Sequence, residues 1–462
     1  MSTFKRRLFI TVFTLGLLLS LLEMAVFAET ETKLSREEIA RSAAAGGKLA
    51  YKLTTPEEFR ALLGPAENEK MTKDGGMDIL DVSYPGLKAR FGRMRRFSTP
   101  FTLLFINAGG EGIDIGQGRQ IVLRNEGDLH KFDSFWGFEN VSLAELDLRE
   151  HLKLLETMPF DSRTVWPDVD KLPEGFDPVT FLENGKNPGL GIRSLHKQGI
   201  DGRGVGIAIL DQKLLKNHRE YADQIVLYEE FDVSGMPPQM HGAPVASIAV
   251  GKTCGVAPKA SLFYYAMRMT AMPDNSIYCD IIDKIIKMNE NVNMAEKVRV
   301  VSISTGTFEQ QAKFENWQET LNKALENGIL VVTCDPAFLR YGTLERILGQ
   351  DPDKPSSYRR GRYGRRENVL HIPAGNRTTA SHHGPDVYTF DRTGGMSWAA
   401  PYMAGLVALA YQVKPDIDPK TIVDLWIKTA VKTDAGAVVN PVGFIDAVRE
   451  LNKEEKQLME NK

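Results

Sequence analysis

The stretch Gly202-Arg203-Gly204-Val205-Gly206-Ile207-Ala208-Ile209-Leu210-Asp211 decides the fold. Its run Val205–Leu210 contains no charged or hydrogen-bonding side chain, which is typical of a parallel strand buried on both faces. Asp211 follows this run directly. Because the carboxyl ends of parallel strands form one edge of a sheet, we expect the Asp211 carboxylate to lie at that edge, where α/β proteins place their active sites.

Downstream of this stretch, strand and helix patterns alternate. Further strands are predicted at Ser261–Met267, Val298–Ser302 and Ile329–Thr333. Between them, apolar residues recur at helical spacing over residues 277–286 and again over residues 314–325. The alternation predicts the α/β fold class, with a parallel sheet flanked by helices on both faces.

The N-terminal part of the chain has a different pattern. Thr55-Pro56-Glu57-Glu58 is typical of a helix start, with Thr at the N-cap, Pro at the first helical position and acids in the first turn. Strand-like runs follow at residues 77–84, 101–106 and 120–124. We therefore predict a smaller N-terminal α+β region.

The predicted organisation has five parts. They are a signal peptide over residues 1–28, an N-terminal α+β domain over 29–158, a Pro-rich linker over 159–188, the main α/β domain over 189–455 and a charged tail over 456–462. Five prolines lie between residues 159 and 188, which prevents continuous helix or central strand there.

The N-terminus predicts export. A basic segment, Lys5-Arg6-Arg7, precedes the apolar run Leu8–Leu22, and Val26-Phe27-Ala28 provides the small residues of a cleavage site. The protein is then secreted or extracytoplasmic, with no stable membrane span after cleavage. The alternative is an uncleaved N-terminal membrane anchor, although the run is shorter than the roughly 20 residues that a spanning helix needs.

Composition excludes several classes of function. Lysine plus arginine number 57 and aspartate plus glutamate 60, so the net charge of −3 gives no reason to expect a nucleic-acid partner. Three cysteines in 462 residues form neither a disulfide scaffold nor a cysteine-based zinc site. We expect no metal site and no required cofactor. The composition leaves the oligomeric state open.

Three residues predict nucleophilic catalysis. Ser397 lies in a Gly-Gly turn before a small-residue helix, His241 opens another such helix, and Asp211 ends the buried strand. A serine hydroxyl is a poor nucleophile unless an imidazole takes its proton and a carboxylate orients that imidazole. His218 is a second candidate base, but it lacks the small-residue helix that follows His241.

At these residues the sequence resembles the subtilisin-like serine proteases (subtilases), from about Gly189 to Leu451. The resemblance implies a subtilisin-like fold, a polypeptide substrate, and a triad of Asp211, His241 and Ser397 in the chain order known for subtilisin. The segments that carry it are Gly202–Asp211, His241-Gly242, Val245-Ala246, Gly255-Val256-Ala257-Pro258, and Gly395, Ser397, Ala399, Pro401, Ala404 and Gly405.

The residues around the predicted triad depart from the family pattern. Asp211-Gln212-Lys213 stands where the family has Asp-Thr-Gly, and His241-Gly242-Ala243-Pro244 stands where it has His-Gly-Thr-His. Met396 and Trp398 flank Ser397 in place of Thr and Met. The resemblance is therefore to a divergent branch with an altered active-site rim.

The oxyanion donor is the largest departure, because the family's Ala-Gly-Asn has no counterpart after the strand Ile329–Thr333. Ala374-Gly375-Asn376 lies too close to Ser397 and better matches another turn of the family. We take Asp335 as the substitute. A carboxylic acid donates only when protonated, so activity should then rise at mildly acidic pH.

Two further expectations come from the resemblance. Ser304-Thr305-Gly306 resembles the family's Ser-Leu-Gly edge, where substrate adds as an extra strand. Calcium is common in the family, but no Asp-rich loop identifies a site here.

The resulting interpretation is an exported serine endopeptidase that acts through an acyl-enzyme intermediate. The N-terminal region 29–158 is either a pro-region that is later removed or a retained domain. The alternatives are a catalytically silent subtilase-fold module for binding or regulation and, third, an esterase with the same triad.

Overall fold

The structure, a computed structural model, describes residues 34–460 apart from gaps at 75, 96–98, 117, 133, 135–136, 270–273, 292–296, 307–308, 310, 336–338 and 364–368. The predicted signal peptide 1–28 lies outside the described residues. The chain divides into two compact units, residues 1–121 with 127–133 and residues 122–126 with 134–462.

The smaller unit is an α+β structure, as predicted. Its helices, α1 (Arg36–Ala45) and α2 (Pro56–Leu63), both begin with a capping box, so the helix start predicted at Thr55 is confirmed. Its strands form an antiparallel sheet in sequential order. They are β1 (Asn68–Asp74), β2 (Met77–Tyr84), β3 (Leu87–Met94), β4 (Thr102–Ala108) and β5 (Glu111–Gly112).

Short elements occupy residues 121–197. They are β6 (Ile121–Val122), β7 (Val141–Ser142), α3 (Leu152–Leu155), β8 (Phe160–Asp161), α4 (Pro178–Gly185) and α5 (Ile192–Lys197). The stretch 159–188, predicted as a linker, contributes β8 to a three-stranded sheet with β17 (Arg377–Ala380) and β18 (Tyr388–Asp391). Pro178 stands at the first turn of α4, where its missing N–H has no helical partner to lose. This stretch is therefore folded into the larger unit.

The main sheet is parallel and has β9 (Gly206–Asp211) at its centre, at the position of the predicted strand Val205–Leu210. The other strands are β10 (Ile225–Phe231), β11 (Ser261–Met267), β12 (Val298–Ile303) and β13 (Leu330–Thr333), in the order β10-β11-β9-β12-β13. Every residue of β9 is buried.

Helices cover both faces of this sheet, which confirms the predicted fold class. They are α6 (Gly242–Val250) and α9 (Met396–Val413) on one face and α7 (Ser276–Glu290) and α8 (Phe314–Glu326) on the other. Alternate residues of β9 point to opposite faces. Ile207 and Ile209 accordingly belong to the apolar cluster that includes α6 and α9, whereas Ala208 and Leu210 belong to the cluster that includes α7 and α8.

A second sheet, in the order β15-β14-β16-β20-β19, completes the larger unit. Its strands are β14 (Tyr341–Arg346), β15 (Tyr358–Arg360), β16 (Leu370–Gly375), β19 (Val431–Thr433) and β20 (Gly436–Val438). The last two helices are α10 (Pro419–Lys428) and α11 (Pro441–Glu460). The first residues of the predicted tail 456–462 are therefore the end of α11.

The close approach of α9 to the loop after α6 yields a stability test. A Cβ on Gly405 would lie 2.5 Å from the Cβ of Val256. We expect Gly405→Ala to lower the free energy of unfolding, because overpacking costs about 1–3 kcal/mol and exceeds the roughly 1 kcal/mol that alanine gains in a helix. Urea denaturation measures the change. The control is Ile427→Ala, at a position that is 56% exposed. A midpoint for Gly405→Ala equal to that of the control would contradict the packing.

Candidate active site

Asp211 occupies the end of β9, at the carboxyl edge of the main sheet. Its side chain is fully buried. Oδ1 accepts hydrogen bonds from Nδ1 of His241, at 2.8 Å, and from the backbone N–H of Gln212, at 2.7 Å. Within the described part of the chain, the buried Oδ2 has no hydrogen-bond partner. The imidazole contact is therefore one of two bonds that compensate this buried carboxylate.

His241 immediately precedes α6, and Gln212 helps to hold it there. The Gln212 side chain accepts the backbone N–H of His241 at 3.2 Å. Because a carboxylate only accepts, the proton on the ring belongs on Nδ1, which leaves Nε2 free to act as a base. Burial lowers the pKa of His241, but the charge and hydrogen bond of Asp211, together with a smaller contribution from the charge of Asp391, outweigh burial and leave the pKa above its ordinary value of 6.5.

Ser397 lies in the first turn of α9, directly after the Gly394-Gly395 turn. Its Oγ donates to the backbone oxygen of Ser304 at 3.2 Å, and Oγ of Ser304 donates to the backbone oxygen of Ser397 at 3.0 Å. These reciprocal bonds join the end of β12 to the start of α9. Among the described residues, no hydrogen bond connects the Ser397 hydroxyl with His241.

The indole of Trp398 lies against the imidazole. The two ring centroids are 5.1 Å apart, at an interplanar angle of 63°. His241 and the start of α9 are thus neighbours, as the prediction of a joint site requires. The sequence showed that Trp398 departs from the family pattern. Only the structure shows that Trp398 contacts His241.

The segment Ser304-Thr305-Gly306 runs beside the loop that follows β13. The backbone oxygen of Thr305 accepts the N–H of Cys334 at 2.9 Å. A Cβ on Gly306 would lie 2.7–2.9 Å from backbone atoms of Cys334 and Asp335, so only glycine fits there. The structure thus brings this segment next to Ser397, and its role in binding substrate stays a prediction.

Cys334, the residue before Asp335 in this loop, lies beside the Ser397 side chain. The Cys334 thiol is within hydrogen-bond reach of Ser397, and burial raises its pKa to about 12. Asp335 is 4% exposed and lines a cavity of about 700 Å³ between α8, β13 and α10. The oxyanion role of Asp335 stays a prediction.

The second candidate base, His218, has its hydrogen-bond partners outside this group of residues. His218 is buried, with Nε2 bonded to the backbone oxygen of Val387 and Nδ1 to the backbone N–H of Glu220. Burial lowers its pKa, so it is a neutral structural histidine. Among the described residues, no three His, Cys, Asp or Glu side chains form a group that could hold a metal ion.

Comparison with known protein families finds a match for part of the chain. Residues 202–335 match the Subtilase family. The matched segment contains Asp211 and His241 and ends before Ser397. A curated relative, the subtilisin-like protease PopC of Myxococcus xanthus (strain DK1622), is 24% identical over 283 residues. The match covers 52% of this chain, and the chain spans only 58% of that relative's length.

Two solved structures match part of the chain at low sequence identity. A prenylagaramide maturation protease, PagA, is 17% identical with a TM-score of 0.42, and the match covers 56% of this chain and 98% of PagA. A cold adapted subtilisin-like serine proteinase is 18% identical with a TM-score of 0.37, and the match covers 52% of this chain and 89% of that one.

The contact between Asp211 and His241 yields a prediction that needs no catalytic assay. Because the charge of Asp211 keeps the pKa of His241 raised, we expect Asp211→Asn to lower that pKa. An NMR titration of the His241 ring protons measures it, with Asp232→Asn, at a carboxylate outside the site, as the control. An unchanged His241 pKa in Asp211→Asn would show that the buried carboxylate does not stabilise the imidazolium.

Proposed function

We propose that the protein is an exported serine endopeptidase that hydrolyses peptide bonds through Asp211, His241 and Ser397. The observation that carries this proposal is the 2.8 Å bond between Nδ1 of His241 and a buried Asp211 carboxylate, beside the helix start that holds Ser397. This bond leaves Nε2 free as a base. The match of residues 202–335 to the Subtilase family supports the same reaction class.

The proposed reaction has two halves. In the first, Ser397 Oγ attacks the scissile carbonyl carbon while Nε2 of His241 takes the hydroxyl proton, and the imidazolium then gives that proton to the leaving amine. In the second, His241 takes a proton from water as the water oxygen bonds to the acyl carbon. The bond between that carbon and Ser397 Oγ then breaks, the carboxylic acid product leaves, and the imidazolium returns its proton to Ser397 Oγ. Asp211 stabilises the imidazolium in both halves. The Ser397 hydroxyl must first turn from the Ser304 oxygen toward the imidazole.

Charge on the tetrahedral oxygen needs donors in the loops around Ser397. The Ser397 N–H lies at the N-terminus of the 18-residue helix α9, where the helix dipole favours negative charge. Asp335 is our candidate for the side-chain donor. The Ser304–Gly306 segment is the proposed edge for the substrate backbone. The substrate is therefore a polypeptide in extended conformation.

Export and processing complete the proposal. The basic and apolar segments of residues 1–28 support a signal peptide, and an uncleaved anchor is the alternative. Within the described residues, no helix has both the length and the apolar character needed to cross a bilayer. The N-terminal region 29–158 is proposed as a pro-region or a retained domain.

A catalytically silent subtilase module is the second candidate. It is favoured by the bond that engages the Ser397 hydroxyl with the backbone oxygen of Ser304, and by Oδ2 of Asp211, for which the described residues provide no hydrogen-bond partner. An esterase that uses the same triad is a third candidate. It would react with active-site probes but would not cleave proteins.

A fluorophosphonate probe separates these candidates. We expect the probe to label the protein, and Ser397→Ala to abolish labelling, because only an activated serine reacts. Ser194→Ala, at an exposed serine, should label as the wild type does. Mass spectrometry of the adduct and cleavage of unfolded casein are the measurements. No labelling between pH 5 and 9 would support the silent module, and labelling without casein cleavage would support the esterase.

The pH dependence of kcat/KM tests the base and the oxyanion donor together. His241 must be neutral to accept a proton, so its raised pKa predicts an acidic limb with a midpoint above 6.5. A protonated Asp335 donor adds an alkaline limb, because the donor is lost when the carboxyl ionises. If both groups act, the wild-type profile is bell-shaped and Asp335→Ala removes only the alkaline limb. An identical profile in Asp335→Ala would remove Asp335 from the oxyanion site.

A further inference from the structure

Trp398 contacts the imidazole of His241 and also the carboxylate of Asp391. Its indole Nε1–H donates to Oδ2 of Asp391 at 3.0 Å, and its ring centroid lies 5.1 Å from that of His241. Trp398 is only 6% exposed, so packing restrains the ring on all sides. Asp391, Trp398 and His241 thus form a continuous chain of contacts. This chain is separate from the bond between His241 and Asp211.

Asp391 ends β18 and is held in place by more than the indole. Oδ2 also accepts from Oγ1 of Thr379 on the adjacent strand β17, at 3.2 Å. The same carboxyl lines a small cavity together with Glu139 and His382. Because Thr379 and the indole both donate to one oxygen, the position of Asp391 determines the position of the indole.

The charged groups that face Asp391 have opposing effects. Burial raises the pKa of Asp391 to about 7, and the charge of Glu139 adds to the rise. The two hydrogen bonds and the charge of Arg377, its partner in the β17–β18 pair, act in the lowering direction. His382 has a pKa lowered to about 4 by burial, so it is neutral near pH 7. Asp391 therefore changes charge in the range where His241 must act as a base.

We propose that Asp391 is a positioning residue for His241 that acts through Trp398. Its carboxyl oxygen fixes the indole, and the indole fixes the imidazole from a side that Asp211 does not contact. This inference rests on the proposed function in assigning His241 as the base. It adds a second support to the imidazole, built from two residues, Asp391 and Trp398, that are not members of the triad.

The pair also couples the charge of Asp391 to the base. Ionised Asp391 raises the pKa of His241. As the pH increases through about 7, the new negative charge favours the imidazolium, so protonation of His241 persists to higher pH than Asp211 alone would cause. Removing the charge of Asp391 should therefore lower the pKa of His241. This direction distinguishes Asp391 from a residue that only fills space.

The first experiment is an NMR titration of His241 in the full-length Ser397→Ala protein, which is informative whether or not the protein is a peptidase. We expect Asp391→Asn to lower the His241 pKa and to leave the melting temperature close to that of the parent, because asparagine retains an oxygen that accepts the indole N–H. The control is Asp386→Asn, at an exposed carboxylate on the loop between β17 and β18. A His241 pKa equal in both variants would overturn the coupling.

The second experiment is a double-mutant cycle on kcat and KM. We expect Asp391→Ala, which removes the acceptor, to lower kcat about 10- to 100-fold through misplacement of the base, with KM little changed. Asp391→Asn should retain most of the kcat that Asp391→Ala loses. In a Trp398→Phe background, Asp391→Ala should cost little more, because the indole N–H is already absent. Equal losses in both backgrounds would overturn action through Trp398. Absence of activity in the wild type would contradict the proposed function, and the NMR titration would still decide this inference.

Discussion

The buried carboxylate of Asp211 is the constraint on which the site depends. Removing an ionised group from water is expensive unless donors compensate it. One oxygen of this carboxylate accepts two donors, the Gln212 N–H and the His241 ring, while the side chain has no exposure. The start of α6 must therefore lie against the end of β9. Hydrogen bonds of Gln212 to His241 and to the Tyr264 hydroxyl keep it there.

The nucleophile depends on a different set of contacts. Ser397 is placed by the long buried helix α9, which packs closely because residues such as Gly405 have no side chain to clash with Val256. The reciprocal bonds between Ser304 and Ser397 then join this helix to the end of β12. Base and nucleophile are thus held by separate elements. Their separation is set by packing of α9 on the sheet, so a change in core volume can alter the site.

The departures from the family pattern lie around His241 and Ser397. Gln212, which stands in place of a small residue, bonds to the backbone of His241. Trp398 packs against the imidazole and bonds to Asp391. Cys334 lies beside Ser397, in the loop where the sequence pointed to Asp335. These replacements retain Asp211, His241 and Ser397 and change the groups that orient them.

The sequence alone determined the parallel sheet, its central strand, the helices on both faces and the capped helix at Thr55. These follow from local pattern, since burial sets the periodicity of apolar residues and capping requires particular side chains. It also identified Asp211, His241 and Ser397 as candidates through the motifs around them. Only the tertiary structure decided that Asp391 reaches Trp398, that Cys334 contacts Ser397, and that residues 159–188 fold into the larger unit. Those contacts join residues distant in the chain or depend on the direction in which a loop side chain points, and local pattern contains no information about either.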